Sequence, residues 1–254
     1  MIAQERRAIL LEKLRDSGFL QVSELAKELN ISSATVRRDF EELEKEGFCT
    51  RTRGGALRSN VGVTLEVPYE VKRQQHSAEK NSIAIEAARL IEDGDTLILD
   101  AGSTTFALAN LLYTKKRLTV VTNDLQIAVR LAANPNFNLI CTGGVARPNV
   151  FSLQGTQVSS FVNTLRVDKT FLGADAIHAD GVVANVNIEE VAIKQAMIKA
   201  GNTVILLADS SKFDMSGFAK VCELKEIDLL ITNAFLPESI KQSIDASGVK
   251  IILA

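Results

Sequence analysis

Two groups of residues in this chain have types and spacings that could do chemistry. The first is Ser32-Ser33-Ala34-Thr35-Val36-Arg37-Arg38, with Arg51-Thr52-Arg53-Gly54-Gly55 and Arg58 shortly after it. Small and hydroxyl side chains at a helix start let the backbone approach a groove closely. The open amides there donate to phosphate, and arginine forks match both phosphate and the guanine edge. The second group is a set of polar segments, each at the end of a short apolar run. They are Asp100-Ala101-Gly102-Ser103-Thr104-Thr105, Thr122-Asn123-Asp124, Cys141-Thr142-Gly143-Gly144 with Arg147, Gly173-Ala174-Asp175 and Asp209-Ser210-Ser211-Lys212. Glycine permits close approach, hydroxyls and helix-start amides cradle an oxyanion, and carboxylates accept sugar hydroxyls. One such segment is ordinarily a turn. Five on one sheet edge suit a small phosphorylated polyol or sugar.

The first group needs helices to carry it. Ile9, Leu10 and Leu14 predict a helix from Ala3 to Asp16 that Gly18 stops. A second short helix, Ser23 to Leu29, takes Ser23 as its cap and turns Leu25, Ala26 and Leu29 inward. Ser32 caps a third, Ser33 to Lys45, whose buried stripe is Val36, Phe40 and Leu43. At about 100° per residue, Ala34, Arg37, Arg38 and Glu41 fall on the opposite side. Two short helices joined by a tight polar turn read as a helix-turn-helix. After Gly47, alternation around Arg51 and Arg53 and the Gly54-Gly55 pair predict a β-hairpin wing. Its three arginines, Arg51, Arg53 and Arg58, would reach backbone or minor groove. Residues 1–58 carry a formal charge of only +1. The distribution matters more than the sum. Glu41, Glu42, Glu44 and Glu46 crowd the far end of the third helix, and the arginines surround its start. Helical hairpins also occur in proteins that bind no DNA, and Arg38 has Glu41 and Glu42 as alternative partners. The arginine wing favours double-stranded DNA.

Residues 59–75, with Gly62 and Pro68, read as a connector, part extended. From residue 76 to 254 apolar runs alternate with helical patterns. The strands are expected at Thr96 to Asp100, Leu118 to Thr122, Asn138 to Thr142, Lys169 to Ala174, Thr203 to Ala208, Ile227 to Thr232 and Val249 to Leu253. Helices are expected at Ser82 to Ile91, Thr105 to Leu112, Leu125 to Ala133 and Glu189 to Ala200. That order implies an α/β domain, with a mostly parallel sheet covered on both faces and its ligands at the carboxyl ends of the strands.

Composition bounds the rest. At 254 residues the chain suits two domains, and its net charge of −2 means that DNA binding must come from a local patch. Cys49, Cys141 and Cys222 are far apart and unpaired in pattern, which points to a reducing cytoplasm and against disulfides or a cysteine zinc site. With only His76 and His178, a histidine-rich metal centre is excluded too. Neither a signal peptide nor a membrane-spanning helix is expected, and no metal or cofactor.

In order along nearly the whole chain, several of these segments match one family. They are Glu5-Arg6-Arg7, Ser32 to Asp39, Arg53-Gly54-Gly55-Ala56, Asp100 to Thr105, Val121-Thr122-Asn123, Gly143-Gly144 with Arg147, Phe171-Leu172-Gly173 and Asp209-Ser210-Ser211-Lys212-Phe213. The chain resembles the DeoR family of bacterial transcriptional regulators. The resemblance implies an N-terminal winged helix-turn-helix and a C-terminal sensor domain similar in fold to ribose-5-phosphate isomerase. It also implies repression of a sugar or polyol catabolic operon, induction by a phosphorylated intermediate, and a dimer or tetramer. Carried over by position, Gly102, Ser103, Thr104 and Thr105 would hold the phosphate, supported by Arg147 and Lys212. Asp100, Asn123, Asp175 and Glu190 would face the sugar. Glu190 and Lys194 match a Glu–Lys pair of the family, with a plain i,i+4 ion pair between them as the rival reading. Two segments depart from the pattern. Gly181-Val182-Val183-Ala184 stands where the family often has two threonines, and Asp214-Met215 where it usually has Gly-Arg. The rival function is a sugar-phosphate isomerase with an accessory helix-turn-helix. The isomerase's Lys-Gly-Gly after the acidic turn is absent, and fold does not carry activity with it.

Overall fold

A computed structural model describes residues 2–58, 69–233, 236 and 238–254. They fall into two compact units, Met1–Gln75 and His76–Ala254. In the first, α1 (Ala3–Ser17) ends on Gly18, whose positive φ of 73° lets its N–H reach the Leu14 carbonyl. Then come β1 (Phe19–Gln21), α2 (Val22–Glu28) and α3 (Ser33–Lys45). Ser32 caps α3, its Oγ accepting the Thr35 N–H at 3.1 Å. Ser23 does not cap α2. That helix begins one residue earlier, after Gln21 and without a side-chain cap, because the Val22 N–H is taken by the Gly54 carbonyl. The wing is β2 (Cys49–Arg51) and β3 (Gly55–Arg58). It gains an unexpected third strand, since β1 pairs antiparallel with β3. Gly55 makes this possible: a Cβ there would lie 2.0 Å from the Leu20 carbonyl oxygen. Leu10, Leu14, Val36, Phe40, Leu43 and Ala56 close the core of this unit.

Of the stretch expected as a connector, 59–68 lies outside the described residues. Its end is a helix, α4 (Tyr69–Gln74), that buries Tyr69 and Val71 and packs on α1.

The second unit runs α5 (Ser77–Arg89), β4 (Thr96–Leu99), α6 (Ser103–Leu111), β5 (Thr119–Thr122), α7 (Leu125–Ala132), β6 (Asn138–Cys141), β7 (Val145–Ala146), β8 (Leu153–Gln154), α8 (Thr156–Val162) and β9 (Val167–Gly173). It continues with β10 (Ala176–Ile177), β11 (Val182–Asn185), α9 (Val191–Ala200), β12 (Gly201–Leu207), β13 (Ala219–Glu223), β14 (Leu229–Thr232), α10 (Glu238–Ser247) and β15 (Lys250–Leu253). Seven strands form one parallel sheet in the order β15-β14-β12-β9-β4-β5-β6. All seven lie where the apolar runs place them. Alternate residues feed opposite faces. Leu97, Leu99, Phe171, Ile205 and Leu207 join one core with Ile83, Leu108 and Leu131. Ile98, Leu172 and Leu206 join the other with Val162, Ile193 and Met197. This two-sided burial is why the strands read as continuous apolar runs.

Chain order fixes the functional edge. From β4 the chain steps outward to β5 and β6, then crosses back to β9 on the other side of β4. The carboxyl ends of β4 and β9 are therefore the topological switch point, where open sheets of this kind bind their ligands.

Candidate DNA interface and sensor site

The recognition surface rests on α3. Ala34, Arg37 and Arg38 are exposed on it, Ser32 is exposed just before it, and Ser33 and Thr35 are half-buried in its first turn. Ser32 Oγ and Thr35 Oγ1 share a hydrogen bond of 2.8 Å. The helix is fixed from below by a pair that no spacing revealed. Arg6 on α1 grips Asp39 twice, Nε to Oδ2 at 2.7 Å and Nη2 to Oδ1 at 3.0 Å. Asp39 is buried beside the stripe and directly follows Arg37-Arg38, so this fork sets the pose of the exposed arginines.

Arg38 does not pair with Glu41 or Glu42; Lys45 takes both. Among the described residues the side chains of Arg37, Arg38 and Arg53 make no ion pair. Arg51 differs. Its Nε donates to Glu44 Oε2 at 2.6 Å and its N–H to Glu44 Oε1 at 2.8 Å, so the expected wing cation is neutralised by α3. The side chain of Arg58 lies outside the described residues.

At the switch point of the second unit lies a buried charge cluster. Lys194 pairs with Asp100 and also donates to the Gly173 carbonyl at 3.0 Å. The Gly173 N–H returns to Asp100 Oδ2 at 3.0 Å. The i,i+4 alternative is thus not formed, because α9 aims Lys194 across the switch point at β4. Burial works against the Lys194 ammonium, but Asp100, Glu190 and Asp175 outweigh it and raise its pKa above the ordinary lysine value.

Glu190 is held by three donors instead: Ser152 Oγ at 2.8 Å, Arg147 Nη1 at 3.2 Å and Asn185 Nδ2 at 2.7 Å. Arg147 hangs on the β7–β8 hairpin, which follows Gly143 and Gly144. Gly144 has φ 116° and packs so closely that a Cβ would meet the Gln154 carbonyl oxygen at 2.6 Å. The two glycines lie past the edge strand β6 and are joined to the cluster through Arg147.

The loop after β4 is braced from β5. Ala101 N–H donates to Asn123 Oδ1 at 2.9 Å, and Gly102 N–H to Asp124 Oδ2 at 3.1 Å. Thr105 Oγ1 donates to the Gly102 carbonyl at 2.8 Å. Ser103, Thr104 and Thr105 supply the open first-turn amides of α6, which has no side-chain cap. Asp124 also caps α7 through the Gln126 and Ile127 N–H groups. Burial pushes its carboxyl up to about 6 against those bonds. Asp175 Oδ2 accepts the Val186 N–H at 3.0 Å.

Lys212 lies in a short turn after β12 that packs against β10 and that Asp209 caps through the Ser211 N–H. Burial disfavours the Asp209 carboxylate, but Lys212, the Ser211 hydroxyl, Lys80 and His76 outweigh it and hold its pKa below the usual range. The structure therefore brings Asp100, Asp175 and Glu190 together around Lys194, joins Arg147 to them through Glu190, and sets Lys212 in the turn after the neighbouring strand β12. Ser152, Asn185 and Lys80 were not expected as site residues, and Lys194 and Asp124 were named only within the family's Glu–Lys pair and the polar segment after β5. A signal existed for Lys194, a lone charge in the apolar run Val191-Ala192-Ile193-Lys194-Gln195-Ala196-Met197. Among the described residues no His, Cys, Asp and Glu group could hold a metal ion, and no helix is long and apolar enough to cross a membrane.

Comparison with known proteins agrees along the chain. Residues 6–60 match the DeoR-like helix-turn-helix domain and residues 75–234 the DeoR C terminal sensor domain. A putative aga operon transcriptional repressor of Escherichia coli O157:H7 is 32% identical over 250 residues, 98% of this chain and 93% of that protein. The glycerol-3-phosphate regulon repressor of Haemophilus influenzae is 32% identical over 248 residues, 98% of this chain and 96% of that protein. A D-ribose-5-phosphate isomerase in complex with phospho-erythronic acid overlaps 54% of each chain at 19% identity and a TM-score of 0.40, a likeness of fold that says nothing of activity. With a helix-turn-helix of this type before a sensor domain, and regulators as its full-length relatives, the chain belongs to the DeoR family of DNA-binding transcriptional regulators and is not an enzyme.

Proposed function

We propose that this protein represses a sugar or polyol catabolic operon and leaves its operator when a phosphorylated intermediate of that pathway binds the sensor unit. The observation that carries the reading is the switch point itself. There the open first turn of α6 stands beside a cluster of carboxylates organised by Lys194. The phosphate sits on Ser103, Thr104 and Thr105 behind Gly102, with Arg147 and Lys212 as its cations. Asp175 and Glu190 accept hydroxyls, and Asp100 and Asn123 hold the site from behind. The names of the two repressors above, an aga operon and a glycerol-3-phosphate regulon, support sugar-linked regulation.

The working form is a homo-oligomer, a dimer or tetramer in the cytoplasm, that places two α3 helices on operator half-sites. Ligand binding favours an arrangement of sensor units that misaligns them, a coupling of about 1–3 kcal/mol. A thermal-shift screen against sugar and polyol phosphates, with each free sugar alongside, tests the site. A ligand of the native state raises the melting temperature by mass action. One phosphate ester should shift it and its free sugar should not. Equal shifts from both would reject the anion site.

A further inference from the structure

We propose that the hollow between α3 and the wing seats one phosphate of the DNA backbone, gripped by Arg37 and Arg53, while Arg51, which also lines it, is kept in an ion pair by Glu44. This rests on the DNA-binding reading and gives its arginines separate roles. The hollow measures about 540 Å³ and is lined by Val22 of α2, by Arg37 and Phe40 of α3 and by Arg51, Thr52, Arg53 and Gly55 of the wing.

Its position follows from groove geometry. A helix in a major groove and a hairpin in the adjacent minor groove straddle the backbone strand that separates the two grooves. That strand must pass between them, over the hollow. The floor suits a phosphate there. Phe40 is buried, and Gly55 brings no side chain.

The charges decide which residues grip. Arg37 and Arg53 are exposed, and among the described residues their side chains make no ion pair. Arg51 spends both its Nε and its backbone N–H on Glu44. Glu44 thereby anchors the wing to α3 and withholds a third cation. Arg38, which does not line the hollow, is left for the base edges of the major groove.

The test is binding of the full chain to a random-sequence DNA duplex, read as affinity against salt concentration. Each phosphate neutralised contributes about 0.9 to the slope of log affinity on log salt. R37A and R53A should each flatten the slope by less than that, and R37A/R53A by about 0.9 in total. A double variant that flattens it by about 1.8 would mean two separate phosphates, and no change would mean none; either overturns the seat. E44Q keeps an acceptor for the Arg51 N–H and removes the charge, so it should tighten binding and steepen the slope. R51M should leave the slope unchanged. Weaker binding by E44Q with an unchanged melting temperature, or a flatter slope in R51M, overturns the role of Glu44. Wild-type protein that binds no duplex would overturn the DNA reading beneath it.

Discussion

Lys194→Met isolates what holds the switch point together. Methionine fills similar volume, so the change removes charge more than packing. It leaves Asp100 buried without its counter-ion, since the side chains of Lys194 and Asp100 are 5% and 2% exposed. Breaking one partner of a buried pair costs roughly 3–5 kcal/mol. A unit of this size loses about 2–4 °C of melting temperature per kcal/mol, so Lys194→Met should melt roughly 10 °C lower. Asp100→Asn in the same chain leaves no charge stranded and still accepts the Gly173 N–H. The double variant should therefore recover most of the loss. Calorimetry of the wild type, both single variants and the double variant closes the cycle. A Lys194→Met protein that melts with wild type would refute the pairing. So would a double variant no more stable than Lys194→Met alone.

Other perturbations follow from single contacts. Arg6→Met strands Asp39 beneath α3, so it should destabilise the first unit by about 3 kcal/mol in urea unfolding and weaken DNA binding, with Asp39→Leu restoring stability. Burial pushes the Cys49 thiol up to about 11 and that of Cys222 up to about 12, whereas Cys141 is exposed. A thiol reagent at neutral pH should label Cys141 in the native protein, and early labelling of either other cysteine would refute this. Asp124, raised to about 6, binds its proton more tightly folded than unfolded. Its contribution is full below about pH 4 and is lost as pH rises through about 6, so melting curves of wild type and Asp124→Asn should diverge across that window.

The seven strands of the main sheet were legible because burial on both faces writes an unbroken apolar run, as in Leu97-Ile98-Leu99. The antiparallel strands β1, β7, β8 and β10 were not. Two or three residues carry no period, and β1 exists only because Gly55 lets it approach β3. The exposed face of α3 was legible from its stripe. Its anchor was not, since Arg6 and Asp39 lie 33 positions apart, and Lys194 and Asp100 lie 94 apart. Sequence pattern names charged residues but not their partners across such distances. Arg51 is a nearer case: its type suggested DNA, and its partner Glu44, seven positions away, was not foreseen.

A phosphorylated ligand in the sensor unit should release DNA held by α3. The most direct measurement is fluorescence anisotropy of an operator duplex, selected from a random pool by the protein itself, titrated with the phosphate ester found by thermal shift. The ester should release the duplex, its free sugar should not, and Lys212→Ala protein should stay bound at the same ligand concentration. Release by the free sugar, or release from Lys212→Ala protein at the wild-type concentration, would contradict this mechanism.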